Sequence, residues 1–215
     1  GTIYNLKDGF SASQDGVWRY KTRETTTGEY TDMTYDEHSQ RWTDGKGGLI
    51  AWDMLHASAD QSAKHEDVTC LQFVAPCGGN LTLYSLNGLI SVSENSTNGV
   101  RFAILRNGEW VFPYTEIKGG ENFVFKPITV DVVEGDVFNF LVSSKSDNSS
   151  DIVKFTPVFA YNKEFPTLAS QVTLPKNGTE SDGVYHYQKA FDSSQGPVWY
   201  YLKRETVKNQ YEELT

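Results

Sequence analysis

The chain has 215 residues, 38% of them hydrophobic, and a formal net charge of −9. This length allows one sizeable core with a further piece attached. The negative charge argues against nucleic acid and anionic lipid as partners, and it disfavours highly sulfated glycans unless a local patch overrides the average. The chain contains no run of 18 apolar residues, so the sequence predicts no membrane insertion.

Strand signals dominate the chain from its N-terminus onward. In most of these segments apolar and polar side chains alternate, and Gly or Asn turns separate the segments. The predicted strands are Gly16–Tyr20, Val68–Val74, Asn80–Leu86, Val100–Arg106, Trp110–Phe112, Phe123–Phe125, Ile128–Val133, Val137–Val142 and Ile152–Tyr161. Only Asp53–Ala59 has a helical pattern, and it is short.

The number and spacing of these strands predict the fold class. About eight to ten short strands separated by turns are typical of an all-β, antiparallel two-sheet β-sandwich of jelly-roll type. Alternation within the strands also predicts which side chains face the core. These core residues are Phe73, Val100, Phe102, Ile104, Phe138, Phe140 and Phe155, with Trp18 and Trp199 at equivalent core positions.

The last stretch of the chain repeats the first. Residues 1–34 match residues 182–215 at a constant offset of 181 residues, without a gap. The shared residues include Phe10, Gln14, Trp18, Tyr20, Arg23 and Tyr30, which recur as Phe191, Gln195, Trp199, Tyr201, Arg204 and Tyr211. A match at fixed spacing indicates one folding unit followed by the opening of another. We therefore predict a β-sandwich binding module at 1–162, a linker at 163–181 and the N-terminal part of a second repeat at 182–215.

The repeated stretch needs a partner for its apolar side chains. Apolar surface left in water costs about 25 cal/mol of free energy per Å². This cost applies to the side chains of Trp199, Tyr201 and Leu202. Two arrangements would bury them. The stretch either packs back onto its own module or exchanges strands with a second copy of the chain.

The two cysteines, Cys70 and Cys77, flank the segment Leu-Gln-Phe-Val-Ala-Pro, and Cys77 belongs to a Pro-Cys-Gly-Gly turn signal. Two interpretations stay open at this point. A disulfide across the hairpin needs only a modest bend of the chain, whereas unreactive cysteines are usually free and buried. A zinc site is not indicated, since no second ligand pair stands at metal spacing.

No catalytic motif stands out, so we predict that the chain is not an enzyme. It contains no nucleophile elbow, no HExxH pair and no glycine-rich phosphate loop. Aromatic side chains in polar segments are the more promising functional material, because Trp and Tyr rings stack on the apolar faces of sugars. The predicted ligand-binding residues are Trp42, Trp110, Tyr30, Tyr35 and Tyr114, of which Trp42 is expected to be the most exposed.

An oxygen-rich segment precedes the last predicted strand. Residues 146–151 read Ser-Asp-Asn-Ser-Ser-Asp, and carboxylate and amide oxygens are the ligands that calcium prefers. The segment lacks the spacing of an EF-hand, and a solvated loop is the alternative interpretation. Asp147 and Asp151 are therefore candidate ligands for a structural calcium ion, and the sequence implies no other cofactor.

Several motifs together resemble those of a known group of modules. They are Gln14…Val17-Trp18-x-Tyr20, Gly28-x-Tyr30-Thr31-Asp32-Met33-Thr34, Arg41-Trp42, Ile50-x-Trp52, Phe73-Val74-Ala75-Pro76, Asn98-Gly99-Val100-x-Phe102 and Val133-Glu134-Gly135-Asp136. The pattern covers roughly residues 10–162 and resumes at 191–215. It is similar to the β-sandwich modules, related to carbohydrate-binding modules, of large secreted or wall-anchored proteins of Gram-positive bacteria.

Two functions follow from this resemblance and from the repeat. The first is a non-catalytic glycan-binding module of a multidomain extracellular or cell-surface bacterial protein, whose partner is a polysaccharide or the glycan of a glycoprotein. The second is a protein-binding repeat of a surface adhesin that recognises a host glycoprotein or immunoglobulin. Both imply an extracellular protein, secreted or anchored to the cell wall, that gains avidity through repetition.

Overall fold

A computed structural model describes residues 1–23, 28–59, 68–165, 202–205 and 210–213. The elements in chain order are β1 (Ile3–Asn5), α1 (Leu6–Gly9), β2 (Trp18–Arg23), β3 (Tyr30–Asp32), β4 (Thr34–Asp36), β5 (Arg41–Thr43), β6 (Leu49–Ala51), β7 (Met54–His56), β8 (Val68–Val74), β9 (Gly78–Ser85), β10 (Leu89–Val92), β11 (Val100–Arg106), β12 (Glu109–Ile117), β13 (Asn122–Val124), β14 (Ile128–Val132), β15 (Val137–Ser144), β16 (Ile152–Lys154), β17 (Pro157–Phe165), β18 (Leu202–Glu205) and β19 (Gln210–Glu213).

The chain divides into two compact units, Gly1–Thr167 and Leu168–Thr215. The first contains three antiparallel sheets. A six-stranded sheet runs in the order β12-β11-β15-β8-β2-β3, a seven-stranded sheet in the order β13-β10-β16-β7-β6-β5-β4, and a four-stranded sheet in the order β1-β17-β9-β14. Strand β17 continues to Phe165, which carries the first unit past the predicted end at residue 162.

One apolar core joins the three sheets of the first unit. Phe73 of the six-stranded sheet stacks on Phe159 of the four-stranded sheet, with ring centroids 3.9 Å apart. Tyr20 stacks on Trp42 of the seven-stranded sheet at 4.7 Å. All seven residues assigned to the core by alternation are at most 1% exposed, and Trp18 is 2% exposed. The prediction of an antiparallel β-sandwich is therefore confirmed.

The short elements differ from the sequence prediction. The segment with a helical pattern, Asp53–Ala59, contains the strand β7, and the helix α1 was not predicted. Helix α1 spans only four residues and is capped by Asn5, whose side chain accepts a hydrogen bond from the backbone N–H of Asp8 at 2.8 Å. Elements of three or four residues are too short to show a helical or strand periodicity. Their conformation is set by pairing and packing with distant parts of the chain.

The residues repeated at the offset of 181 hold the edge of the core together. The Gln14 side chain donates to the carbonyl of Tyr20 at 2.8 Å and accepts from its N–H at 2.9 Å. Phe10 packs edge-on against the Tyr20 ring at 5.3 Å. The Gln14 side chain thus satisfies both main-chain groups of Tyr20, whose carbonyl also accepts from the backbone N–H of Met33 at 3.0 Å.

Strands β18 and β19 pair in the register of the N-terminal hairpin. Arg204 pairs with Tyr211, as Arg23 of β2 pairs with Tyr30 of β3. Two further pairs correspond at the same offset: Leu202–Glu213 stands where Lys21–Asp32 stands in the first hairpin, and Lys203–Glu212 stands where Thr22–Thr31 stands. The remainder of the predicted linker and second repeat, including Trp199, lies outside the described residues. Their assignment to a second module stays a prediction.

Candidate functional site

Trp42 belongs to the core and not to an exposed binding surface. It is 3% exposed, and its indole N–H donates to the carbonyl of Ser11 at 2.9 Å. The ring lies between Tyr20, stacked at 4.7 Å, and Tyr35, edge-on at 5.3 Å. The expectation that Trp42 is exposed was wrong because polar neighbours on both sides in a three-residue strand hide its inward direction. Tyr35, half-buried beside it, shares this structural role.

Side chains on the outer side of the six-stranded sheet form three rows, of which the first two are continuous across five strands. Paired residues of adjacent strands point to the same side, so the register alone defines the rows. The first is Arg19, Gln72, Asn139, Leu105 and Trp110; the second is Asp32, Lys21, Cys70, Leu141 and Ala103; the third contains the pairs Tyr30–Arg23, Arg23–Val68, Ser143–Arg101 and Arg101–Glu116. We call this surface, together with Tyr114, the open face.

Two exposed aromatic side chains stand at one edge of the open face. Trp110 is 53% exposed and Tyr114 is 41% exposed. Their ring centroids lie 5.1 Å apart, with the planes inclined at 56°. Both project from β12, an edge strand that follows the Asn107-Gly108 turn. The two rings therefore offer adjacent apolar surfaces to solvent from a well-paired strand.

The opposite edge of the open face carries Tyr30 and Arg23. The Arg23 guanidinium lies over the Tyr30 ring, 5.2 Å from its centroid. Burial raises the pKa of Tyr30 to about 12, and Cys70 and Tyr114 add smaller upward effects against the lowering effect of Arg23. Tyr30 and Tyr114 lie on the two outermost strands of the six-stranded sheet, so the open face carries aromatic side chains at both of its edges.

The buried side chains of the open face, which we call its floor, comprise an apolar cluster and a pair of amides. Val68, Cys70, Ala103, Leu105 and Leu141 form a buried cluster against which Tyr30 packs. In the first row the Gln72 amide donates to the Asn139 side-chain oxygen at 2.8 Å. These two side chains are largely buried, at 8% and 6% exposed, and Leu105 stands between Asn139 and Trp110 in the row.

The two cysteines are free thiols, so the disulfide interpretation is wrong. Cys70 points to the outer cluster of the open face, whereas Cys77 packs against the main core on the other side of the sheet. Their side chains therefore diverge, which no disulfide geometry tolerates. Burial raises the pKa of the Cys70 thiol well above its ordinary value, more than nearby Arg23 and Lys21 lower it. Cys70 is thus an inert part of the floor.

The two predicted calcium ligands lie in one loop but differ in environment. Asp151 is fully buried and accepts from the Ser96 hydroxyl at 2.6 Å, while its second carboxylate oxygen has no hydrogen-bond partner. Asp147 accepts from the Asn98 amide at 3.0 Å. Burial raises the pKa of Asp151, Ser96 lowers it, and Asp147 raises it. Within the described ranges no group of three or more His, Cys, Asp or Glu could hold a metal ion, and calcium binding stays a prediction.

A polar cavity lies away from the open face. A cavity of about 520 Å³ borders β10 and β16 and is lined mainly by polar side chains and glycine, among them Ser91, Asn122 and Lys154. No aromatic side chain belongs to its described lining, so it offers no stacking surface. The open face is the better candidate because it combines exposed rings, amides and charges.

Sequence reasoning found part of the open face and missed the rest. Three of the five predicted ligand-binding residues, Trp110, Tyr114 and Tyr30, lie on this surface. Gln72 and Asn139 were not predicted. A signal was available, because both are polar residues at outward positions of otherwise apolar central strands. Such a residue in a central strand indicates a polar surface on the outer side of the sheet.

Comparisons with known proteins give fold-level likenesses only. No family model and no curated protein matches the chain, and no described helix is long and apolar enough to cross a membrane. A family 35 carbohydrate-binding module from Clostridium thermocellum matches at 15% identity with a TM-score of 0.27, covering 51% of this chain and 89% of that one.

Two further solved structures are similar at the same level. A CBM35 from Cellvibrio japonicus Abf62 matches at 10% identity with a TM-score of 0.32, covering 74% of this chain and 97% of that one. A GH26-CBM35 β-(1,4)-mannanase from Podospora anserina matches at 12% identity with a TM-score of 0.31, covering 77% and 28% respectively. Identities and scores this low assign the chain to no family.

Proposed function

We propose that this protein binds glycans without modifying them and that the open face is the binding surface. The observation that carries the proposal is the exposed pair Trp110 and Tyr114 at the edge of a row of side-chain amides. Exposed aromatic rings cost free energy in water, at about 25 cal/mol per Å² of apolar surface, and stacking on a sugar ring recovers part of it.

The polar floor supplies what the rings lack. Gln72 and Asn139 already bond to each other, which fixes the direction of both amides. Fixed amides can exchange hydrogen bonds with sugar hydroxyls at little entropic cost, and they discriminate between hydroxyl orientations. The rings would provide affinity and the oriented amides selectivity, and this combination suits the neutral, hydroxylated ring of a sugar.

The proposed context is extracellular, in a protein with repeated modules. Shallow sites with few stacking rings reach only about micromolar to millimolar affinity, so repetition supplies avidity. The sequence repeat at the offset of 181 and the matching registers of the β2–β3 and β18–β19 hairpins support this arrangement. The motif pattern described above is in keeping with secretion.

A glycan array followed by titration calorimetry tests the proposal. We expect at least one polysaccharide class to bind, and Trp110→Ala to lower the affinity for it by about tenfold or more. Trp52→Ala is the matched control, because Trp52 is similarly exposed at 44% but lies in the turn between β6 and β7, away from the open face. An equal loss of glycan affinity in both variants would contradict the proposal. Binding of a serum protein that is unaffected by Trp110→Ala would contradict it as well.

A further inference from the structure

The open face is locally basic on an acidic protein. Every second residue of β2 points outward, and these residues are Arg19, Lys21 and Arg23. Arg101 of β11 lies in the third row. The three rows contain four basic side chains, the three of β2 and Arg101, and two carboxylates, Asp32 and Glu116. Their formal net charge is therefore +2, whereas that of the whole chain is −9.

Both carboxylates of the open face already have partners. Asp32 forms an ion pair with Lys21, and Glu116 forms one with Lys145 at 2.7 Å. Hydrogen bonding and the charge of Lys145 hold the pKa of Glu116 below its ordinary value. The Lys21–Asp32 pair leaves the arginines on either side of Lys21 as the remaining positive charges of β2.

The two arginines of β2 differ in their contacts. Arg23 is held over the ring of Tyr30 and donates to its hydroxyl at 3.4 Å. Arg19 is exposed and, in the part of the chain that the structure describes, forms no ion pair. Asp15 and Glu134 line the same shallow cavity as Arg19, so an incoming anion would meet these two carboxylates beside the guanidinium.

The position of Arg19 relative to the aromatic pair is fixed by the register. Arg19 and Trp110 are the two ends of the first row, with Gln72, Asn139 and Leu105 between them. Four strand spacings separate them, which is roughly 19 Å along the sheet. One extended ligand can therefore contact the rings, the amides and a guanidinium in that order.

We infer that the open face binds a glycan that carries negative charge, with its sugar rings on Trp110 and Tyr114 and an acidic group near Arg19. This inference rests on the proposed function and names its ligand class. A guanidinium presents a planar pair of N–H donors that fits a carboxylate or a sulfate, and it loses less hydration on binding than an ammonium does. The two acidic groups share this recognition chemistry, and the probes below separate them.

Matched polysaccharide pairs test the inference on the whole chain. Polygalacturonate is compared with its carboxyl-reduced, neutral form, and dextran sulfate with dextran. We expect the charged member of at least one pair to bind about tenfold or more tightly than the neutral member, and this preference to shrink as salt is raised. The pair that shows the larger preference identifies the acidic group.

Variants separate this inference from the proposed function. Arg19→Gln is expected to lower affinity for the charged probe by about 3- to 10-fold and to leave the neutral probe unchanged. Arg41→Gln, an exposed arginine of β5 outside the open face, is the control and should change neither. If neutral and charged probes bind equally and Arg19→Gln has no effect, the charge preference is refuted while glycan binding stands. If no probe and no array glycan binds, the proposed function itself fails.

Discussion

Replacing Trp42 and Trp110 separately by alanine tests which tryptophan is structural. The Trp42 ring is 3% exposed, stacks on Tyr20, and donates a hydrogen bond to Ser11. Removal of a ring from such a site costs about 3–5 kcal/mol. In a chain of this length that lowers the apparent melting temperature by roughly 6–20 °C. Trp110 is 53% exposed and touches mainly Tyr114, so its removal should cost less than about 1 kcal/mol.

Thermal and denaturant unfolding, followed by far-ultraviolet circular dichroism, measure both variants. The same substitution is made twice in one protein, so the difference between the two values reports burial directly. We expect Trp42→Ala to lower the melting temperature strongly and Trp110→Ala to leave it within a few degrees of the parent. Equal shifts would refute the assignment of Trp42 to the core, and a large shift for Trp110→Ala would refute its assignment to the surface.

Three further predictions concern the thiols, one carboxylate and the turns. The intact mass should be unchanged by reductant, and a thiol reagent should label the native chain at Cys77 before Cys70. A mass gain of two hydrogen atoms on reduction would show a disulfide instead. Burial raises the pKa of Asp136, but hydrogen bonds from Asn107, Val133 and Arg106 outweigh it and hold the pKa below its ordinary value. The stability that this gives is present near neutral pH and is lost as the pH falls through the depressed pKa. In denaturant unfolding at several pH values, Asp136→Asn should therefore reduce the loss of stability at acid pH. An unchanged loss at acid pH would contradict this. Gly99 and Gly108 both have positive φ, at +76° and +86°, but only at Gly99 would a Cβ meet backbone, the carbonyl of Ile117. Gly108→Ala should cost about 1–2 kcal/mol in denaturant unfolding, and Gly99→Ala clearly more, whereas equal costs would contradict the close approach.

The long strands of the fold could be predicted, and the short ones could not. Phe102 and Phe140 lie in strands of seven and eight residues, where alternation over several positions shows the inward side. Trp42 lies in a strand of three residues between Arg41 and Thr43. Polar neighbours there look like an exposed loop, although in a strand they point away from a buried ring. Its place is decided by the pairing with β4 and β6, which the local sequence does not contain.

The candidate site shows the same division. Trp110 and Tyr114 follow a recognisable Asn-Gly turn in a polar segment, and the sequence correctly predicted that they are exposed. The juxtaposition of Arg19 with Gln72 and Asn139 depends on the order of non-consecutive strands β2, β8 and β15. Sequence separation hides such rows, because residues 19, 72 and 139 become neighbours only through the sheet topology.

The most direct test of the account follows the tryptophan indole N–H signals by nuclear magnetic resonance while a glycan that binds in the array is added. The open face, with Trp110 at its edge, is the proposed place of the ligand. We therefore expect the Trp110 indole signal to shift and saturate together with the amide side chains of Gln72 and Asn139, while the signals of buried Trp18 and Trp42 stay in place. Saturable shifts confined to residues around Ser91 and Lys154, with Trp110 unchanged, would place binding in the other cavity and contradict the claim.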